Sequence, residues 1–95
     1  MEENKYDQMG WLYGLDDSQK QYLTSVFDEL FALYNNAPDK AMFICFPTAR
    51  RLLINNIKFT PNNLYEAVKN YSLNNEIETD DEITLYYNFL ANYQE

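Results

Sequence analysis

Residues 15–34 limit most tightly what this chain can become. At about 100° per residue, Tyr22, Leu23, Val26, Phe27, Leu30, Phe31, Leu33 and Tyr34 fall within half of a helical wheel. Gln21, Thr24, Ser25, Asp28, Glu29 and Ala32 fill the other half. A strand would send the adjacent pairs Val26-Phe27 and Leu30-Phe31 to opposite faces. The segment therefore reads as an amphipathic helix with a broad aromatic face, which the rest of the chain must cover. Asp16 is placed to cap its first turn, with Gln19 at the capping-box position, and Asp17 suits the positive end of the helix dipole. Asn35 and Asn36 tolerate left-handed geometry and precede Pro38, which marks the end of the helix.

The segments around this helix read in the same way. Residues 1–14 form a polar N-terminal arm in which Gly10 and Gly14 bracket Trp11, Leu12 and Tyr13. Trp11 either lies over the end of the core or is an exposed anchor for a partner. In the run 41–46, Met42, Phe43 and Phe46 share a helical face with Ala49, Leu53, Ile54 and Ile57 only if a helix continues across Pro47. Thr48 offers an alternative cap, so two helical pieces meeting at Phe46-Pro47 are expected. Thr60-Pro61 pairs an N-cap with proline at the first helical position, opening a helix to about Ser72 with the stripe Leu64, Ala67, Val68 and Tyr71. Thr79 and Glu82 form a capping box for a last helix to about Tyr93. Its Ile83, Leu85, Tyr86, Tyr87, Phe89, Leu90 and Tyr93 span more than half the wheel, more than one packed face requires. The expected architecture is all-α: a small single-domain bundle of four to five short helices over residues 15–95. The alternative is an α+β fold with a minor two-stranded sheet from residues 41–46 and 56–59.

Composition bears on function mainly by exclusion. The 95 residues, 46% hydrophobic and 17% aromatic, suffice for one small core. There is no histidine, which removes the usual general base near neutral pH and the commonest metal ligand. A single cysteine, Cys45, excludes an internal disulfide and lies between Ile44 and Phe46 with no base to activate it. The acids Glu76, Glu78, Asp80, Asp81 and Glu82 superficially suggest a calcium loop, but Thr79 holds the position an EF-hand gives to glycine. Helix capping accounts for them. The acidic start of the chain has no apolar run behind it, which argues against a signal peptide, and no run approaches the length of a membrane span. A soluble, cytoplasmic, non-catalytic protein without cofactor or metal is expected. Its richness in Asn, Tyr, Ile, Phe and Lys fits an AT-rich genome, such as a low-GC bacterium or its phages.

Charge is arranged in blocks within the net −8. Residues 1–39 set Lys5 and Lys20 against eight acids, and residues 70–95 carry six acids and no base. Between them, Lys40, Arg50, Arg51, Lys58 and Lys69 face Glu66 alone. Direct nucleic-acid binding is disfavoured by this balance, while a basic partner would be attracted. Arg50 and Arg51 suggest either internal pairing with an acidic end or, with Lys58, a basic patch for a phosphate or nucleic acid. The nine tyrosines point to boundaries and interfaces, because a buried phenol needs a hydrogen-bond partner. Trp11, Tyr13, Tyr86, Tyr87, Phe89 and Tyr93 are the expected partner-binding residues. The expected function is a protein–protein interaction module, such as a phage or mobile-element inhibitor of a host protein, or a self-associating chain. Two alternatives are an acidic nucleic-acid mimic that competes for a DNA- or RNA-binding protein, and phosphate binding at Arg50, Arg51 and Lys58.

Overall fold

The structure, a computed structural model, describes residues 5–8, 10–35 and 40–93. It is an all-α bundle. A single turn, α1 (Lys5–Gln8), precedes α2 (Asp17–Leu33), α3 (Lys40–Ile54), α4 (Pro61–Asn74) and α5 (Glu82–Asn92), with a short 3-10 turn at Thr79–Asp81. No strand forms among the described residues, so the sheet from residues 41–46 and 56–59 is absent. Helix α3 packs against α2, α4 and α5 and is the central element.

The capping signals place most helix ends. Asp16 accepts from the Gln19 N–H at 2.8 Å, and the Gln19 side chain accepts from the Asp16 N–H in return. Asn35, just past α2, has φ 59°, while Asn36 and Pro38 lie outside the described residues. Thr60 and Asn63 make the same reciprocal pair at the start of α4, which runs two residues past Ser72. Asn56, also at φ 59°, ends α3: its N–H meets the Leu53 carbonyl, and the Ile57 N–H reaches back to Leu52. At α5 the Thr79 side chain of the expected Thr79–Glu82 box lies outside what is described. The Asp81 carboxylate turns back to accept from the Glu78 N–H at 3.0 Å.

Helix α3 corrects the expectation of two pieces meeting at Phe46-Pro47. It runs unbroken, with Pro47 inside it. An interior proline costs about 3 kcal/mol or more. The unbroken helix buries Met42, Ile44, Phe46 and Leu52 around more than half of its circumference, each contributing roughly 1.5–3 kcal/mol, and the sum exceeds the proline penalty. Thr48, rather than opening a new helix, is fully buried and donates its hydroxyl to the Ile44 carbonyl at 2.7 Å.

The core takes Leu23, Val26, Phe27 and Leu30 from α2 and Leu64, Ala67 and Val68 from α4. It also takes Tyr6 and Leu12 from the N-terminal segment. Gly10 and Gly14, both at φ 80°, fold residues 10–14 into a turn that lets Leu12 enter the core. Trp11 is half-buried, edge-on to Phe46 at 4.8 Å between ring centres, and Phe46 stacks on Phe27 at 4.5 Å. Tyr6 meets Phe27 edge-on at 5.0 Å and donates its hydroxyl to Asp28 at 2.7 Å. Burial, then the Asp28 hydrogen bond and charge, push the Tyr6 phenol well above its ordinary range.

Candidate functional site

Helix α5 runs alongside α3 in the same direction. Thr48 and Arg51 reach Glu82 at its start, while Tyr93 at its end shares a groove with Asn56 and Phe59 from the end of α3 and beyond. Leu85 and Phe89, one turn apart, are fully buried against this core. On the opposite side, the i, i+4, i+7 spacing of Ile83, Tyr87 and Leu90 makes a second apolar stripe, flanked by Tyr86. Ile83 is 51% exposed and Tyr87 64% exposed. Tyr86 and Leu90 are half-buried, and the Tyr86 and Tyr87 rings meet edge-on at 5.2 Å. Ile83 and Tyr87 face solvent, while Tyr86 and Leu90 pack partly against the core.

This placement corrects one expected anchor. Phe89 is a core residue at 0% exposure, because it sits on the α5 face that α3 and α4 cover. Tyr93 is half-buried, stacked on Phe89 at 5.5 Å, with Asn70 donating to its hydroxyl at 2.6 Å. It belongs to the edge of the core. Tyr86 and Tyr87 stand on the outer stripe, whereas Trp11 and Tyr13 lie at the N-terminal segment. Tyr13 is 79% exposed, and Trp11 contacts the exposed ring of Phe43 at 6.1 Å. The expected anchors therefore divide between two surfaces. Ile83 and Leu90 stand in the expected apolar arc of this helix but not among the expected anchors. The wheel position opposite Leu85 and Phe89 would have found both.

The three cations do not gather. An Arg50 guanidinium nitrogen donates to the Tyr13 carbonyl, tying the N-terminal segment to α3, and its Nε is buried without an acceptor. Arg51 pairs with Glu82 at 3.0 Å, and its guanidinium lies 5.9 Å from the centre of the Tyr86 ring. Lys58 lines the groove at the far end of α5, with Tyr22, Phe59, Asn63 and Tyr93. Pairing between the basic middle and an acidic end thus holds for Arg51, while Arg50 instead satisfies a backbone carbonyl.

Of the acidic run, Asp81 is occupied by the Glu78 cap and by Tyr71, and Glu82 by Arg51. Burial first, then the nearby Asp81, raises the Tyr71 phenol above its usual range. Glu76, Glu78 and Asp80 remain exposed in the approach to α5. No group of three or more acids and thiols converges as a metal site would require, among the described residues. Cys45 is fully buried, which pushes its thiol above the ordinary range and away from the reactive thiolate. Between α4 and α5, Asn70, Asn75, Asn88 and Asn92 line a shallow groove. The Asn75 and Asn92 amides donate to carbonyls of their own helices, so these donors are already used.

No family model, curated protein or solved structure matches the chain. No helix among the described residues is long and apolar enough to cross a membrane.

Proposed function

We propose that this protein is a non-catalytic interaction module that binds another protein through the outer face of α5. One observation carries the reading: α5 has a complete buried stripe in Leu85 and Phe89, yet carries a second apolar stripe on its far side. Isolated exposed apolar residues are ordinary, but a contiguous stripe on an already packed helix is the composition of an interface. The aromatic anchors on it are Tyr86 and Tyr87. The acidic-mimic reading has less support, because Asp16, Asp28, Asp81 and Glu82 are each occupied by a cap, a phenol or an arginine. Mimicry of a phosphate backbone needs free, regularly spaced charge.

The AT-rich composition makes low-GC bacterial lysate the source in which to seek the partner. Tagged wild-type protein should retain a specific protein at moderate salt, and the Ile83→Ser/Tyr87→Ser protein should release it. Retention that vanishes steeply with salt but survives the double substitution would instead favour the acidic mimic. Substrate turnover lost on Cys45→Ala would overturn the non-catalytic part.

A further inference from the structure

We propose that the groove at the far end of α5 binds a small aromatic carboxylate, a planar ring carrying one negative charge. The site is separate from the docking face proposed above, and neither reading depends on the other.

The groove draws its walls from across the fold. Tyr22 comes from α2, Asn56 from the turn that ends α3, and Lys58 and Phe59 from the link to α4. Thr60 and Asn63 come from the start of α4, and Tyr93 from the end of α5. Its volume of about 690 Å³ is within the range that accepts a small molecule. Two aromatic side chains are held in place on its walls. Tyr93 stacks on the buried Phe89 at 5.5 Å, and Asn70 donates to its hydroxyl at 2.6 Å. Phe89 covers one face of that ring, which leaves the other to the groove. Tyr22 meets the buried Phe59 edge-on at 6.3 Å and is itself 45% exposed. A ligand ring laid against Tyr22 or Tyr93 covers apolar surface that the core leaves open.

Charge sets what that ring carries. Among the described residues, Lys58 is exposed, has no ion pair and shares the groove with no acid. Residues 55–65 contain Lys58 and neither aspartate nor glutamate. Neutral donors stand beside it. In the reciprocal cap, the side-chain oxygens of Thr60 and Asn63 serve as acceptors, so the Thr60 hydroxyl and the Asn63 amide keep their hydrogens for a ligand. An anion suits this set.

The helix ends limit how much charge it brings. The positive start of α4 meets the groove at Thr60 and favours an anion. The negative ends of α3 and α5 border it at Asn56 and Tyr93 and oppose one. One lysine against those two ends, in a chain of net −8, matches a single negative charge better than the nearly double charge of a phosphate monoester. A carboxylate carries that single charge at neutral pH and accepts from ammonium, hydroxyl and amide alike.

The test is an NMR titration of the ¹⁵N-labelled full chain, at fixed ionic strength, with phenylacetate, phenylacetamide, acetate and phenyl phosphate. We expect phenylacetate to bind saturably and to shift the amides between Asn56 and Asn63 and that of Tyr93. Each of the other three, lacking the charge, the ring or the single charge, should bind about fivefold or more weakly. Lys58→Met keeps an apolar stem and removes the charge. Still folded by circular dichroism, it should weaken phenylacetate by about fivefold or more and bring it level with phenylacetamide. Tyr22→Ala should weaken both alike. Ile83→Ser/Tyr87→Ser should leave phenylacetate binding unchanged, and capture of a protein partner should survive Lys58→Met, so this site and the docking face fail separately. Equal binding of phenylacetamide would overturn the anion, equal binding of acetate the ring, and tighter binding of phenyl phosphate the single charge. No saturable shifts with phenylacetate, or shifts indifferent to Lys58→Met, would overturn the site itself.

Discussion

Two regions of this protein are rich in aromatic rings and use them in opposite ways. At the N-terminal side, Tyr6, Trp11, Phe27 and Phe46 interlock through edge and stacking contacts, and all but the half-exposed Trp11 are buried. On α5, the half-buried Tyr86 meets the exposed ring of Tyr87 edge-on. Composition does not distinguish these regions. What separates them is position relative to the buried stripe of their own helix. Phe27 lies on the stripe of α2 with Leu23 and Leu30, whereas Tyr87 lies across the helix from Leu85 and Phe89. Aromatic abundance alone is therefore not a binding signal. In the proposed reading, an aromatic on the outer face of a satisfied helix is.

The largest effect should come from the inner cluster. Phe46→Ala or Phe27→Ala is expected to cost about 3–5 kcal/mol in urea denaturation, from the lost burial and the cavity left behind. That is much of the stability of a domain this small. A cost below about 1 kcal/mol would mean the N-terminal rings are not structural, and would dissolve the contrast.

A smaller effect concerns Tyr6 and pH. Tyr6→Phe keeps the ring but removes the Asp28 hydrogen bond, a loss of about 1 kcal/mol given the exposed carboxylate. The folded state raises both the Tyr6 phenol and the Cys45 thiol above their ordinary values of 10.0 and 9.0. The neutral forms are thus favoured by folding. Their contribution is complete below those values and is lost as pH rises beyond them. Stability should fall from about pH 9 upward, and Tyr6→Phe should flatten the part of that fall above about pH 10. An alkaline profile unchanged in Tyr6→Phe would show that Tyr6 does not report on the cluster.

Smaller still is the Arg51–Glu82 pair that borders the outer face. Its arginine is substantially exposed, so Arg51→Ala should cost under about 1 kcal/mol of stability. A larger loss would make the border of the outer face structural. Least of all, Ile83→Ser or Tyr87→Ser should leave the urea midpoint within about 0.5 kcal/mol of wild type, since both side chains face solvent. Destabilisation beyond about 2 kcal/mol would show that the outer stripe is core in the folded chain.

The sequence made much of this legible, for local reasons. The Asp16–Gln19 box, the Thr60-Pro61 start and the inward faces of α2 and α4 are local patterns, and they stand where local chemistry puts them. Helix α3 was harder, because whether Pro47 breaks a helix depends on how much surface the continuous face buries elsewhere. That is a tertiary quantity. The width of the apolar arc on α5 was visible, but which half is buried depends on where α3 and α4 lie. Phe89 was accordingly counted among the partner-binding residues, although it is core. The two arginines illustrate the same limit: their pairing with the Tyr13 carbonyl and Glu82 spans more than thirty residues of chain.

The most direct test compares one exposed tyrosine from each region. Tyr13 and Tyr87 are both open to solvent, so truncating either should leave the fold intact. Affinity for the captured partner should be measured for Tyr13→Ala and Tyr87→Ala beside wild type. We expect Tyr87→Ala to lose about 1–3 kcal/mol of binding free energy and Tyr13→Ala to lose none beyond error. The reverse result, with Tyr13→Ala weakened and Tyr87→Ala unchanged, would contradict the assignment of the outer face of α5 as the binding surface.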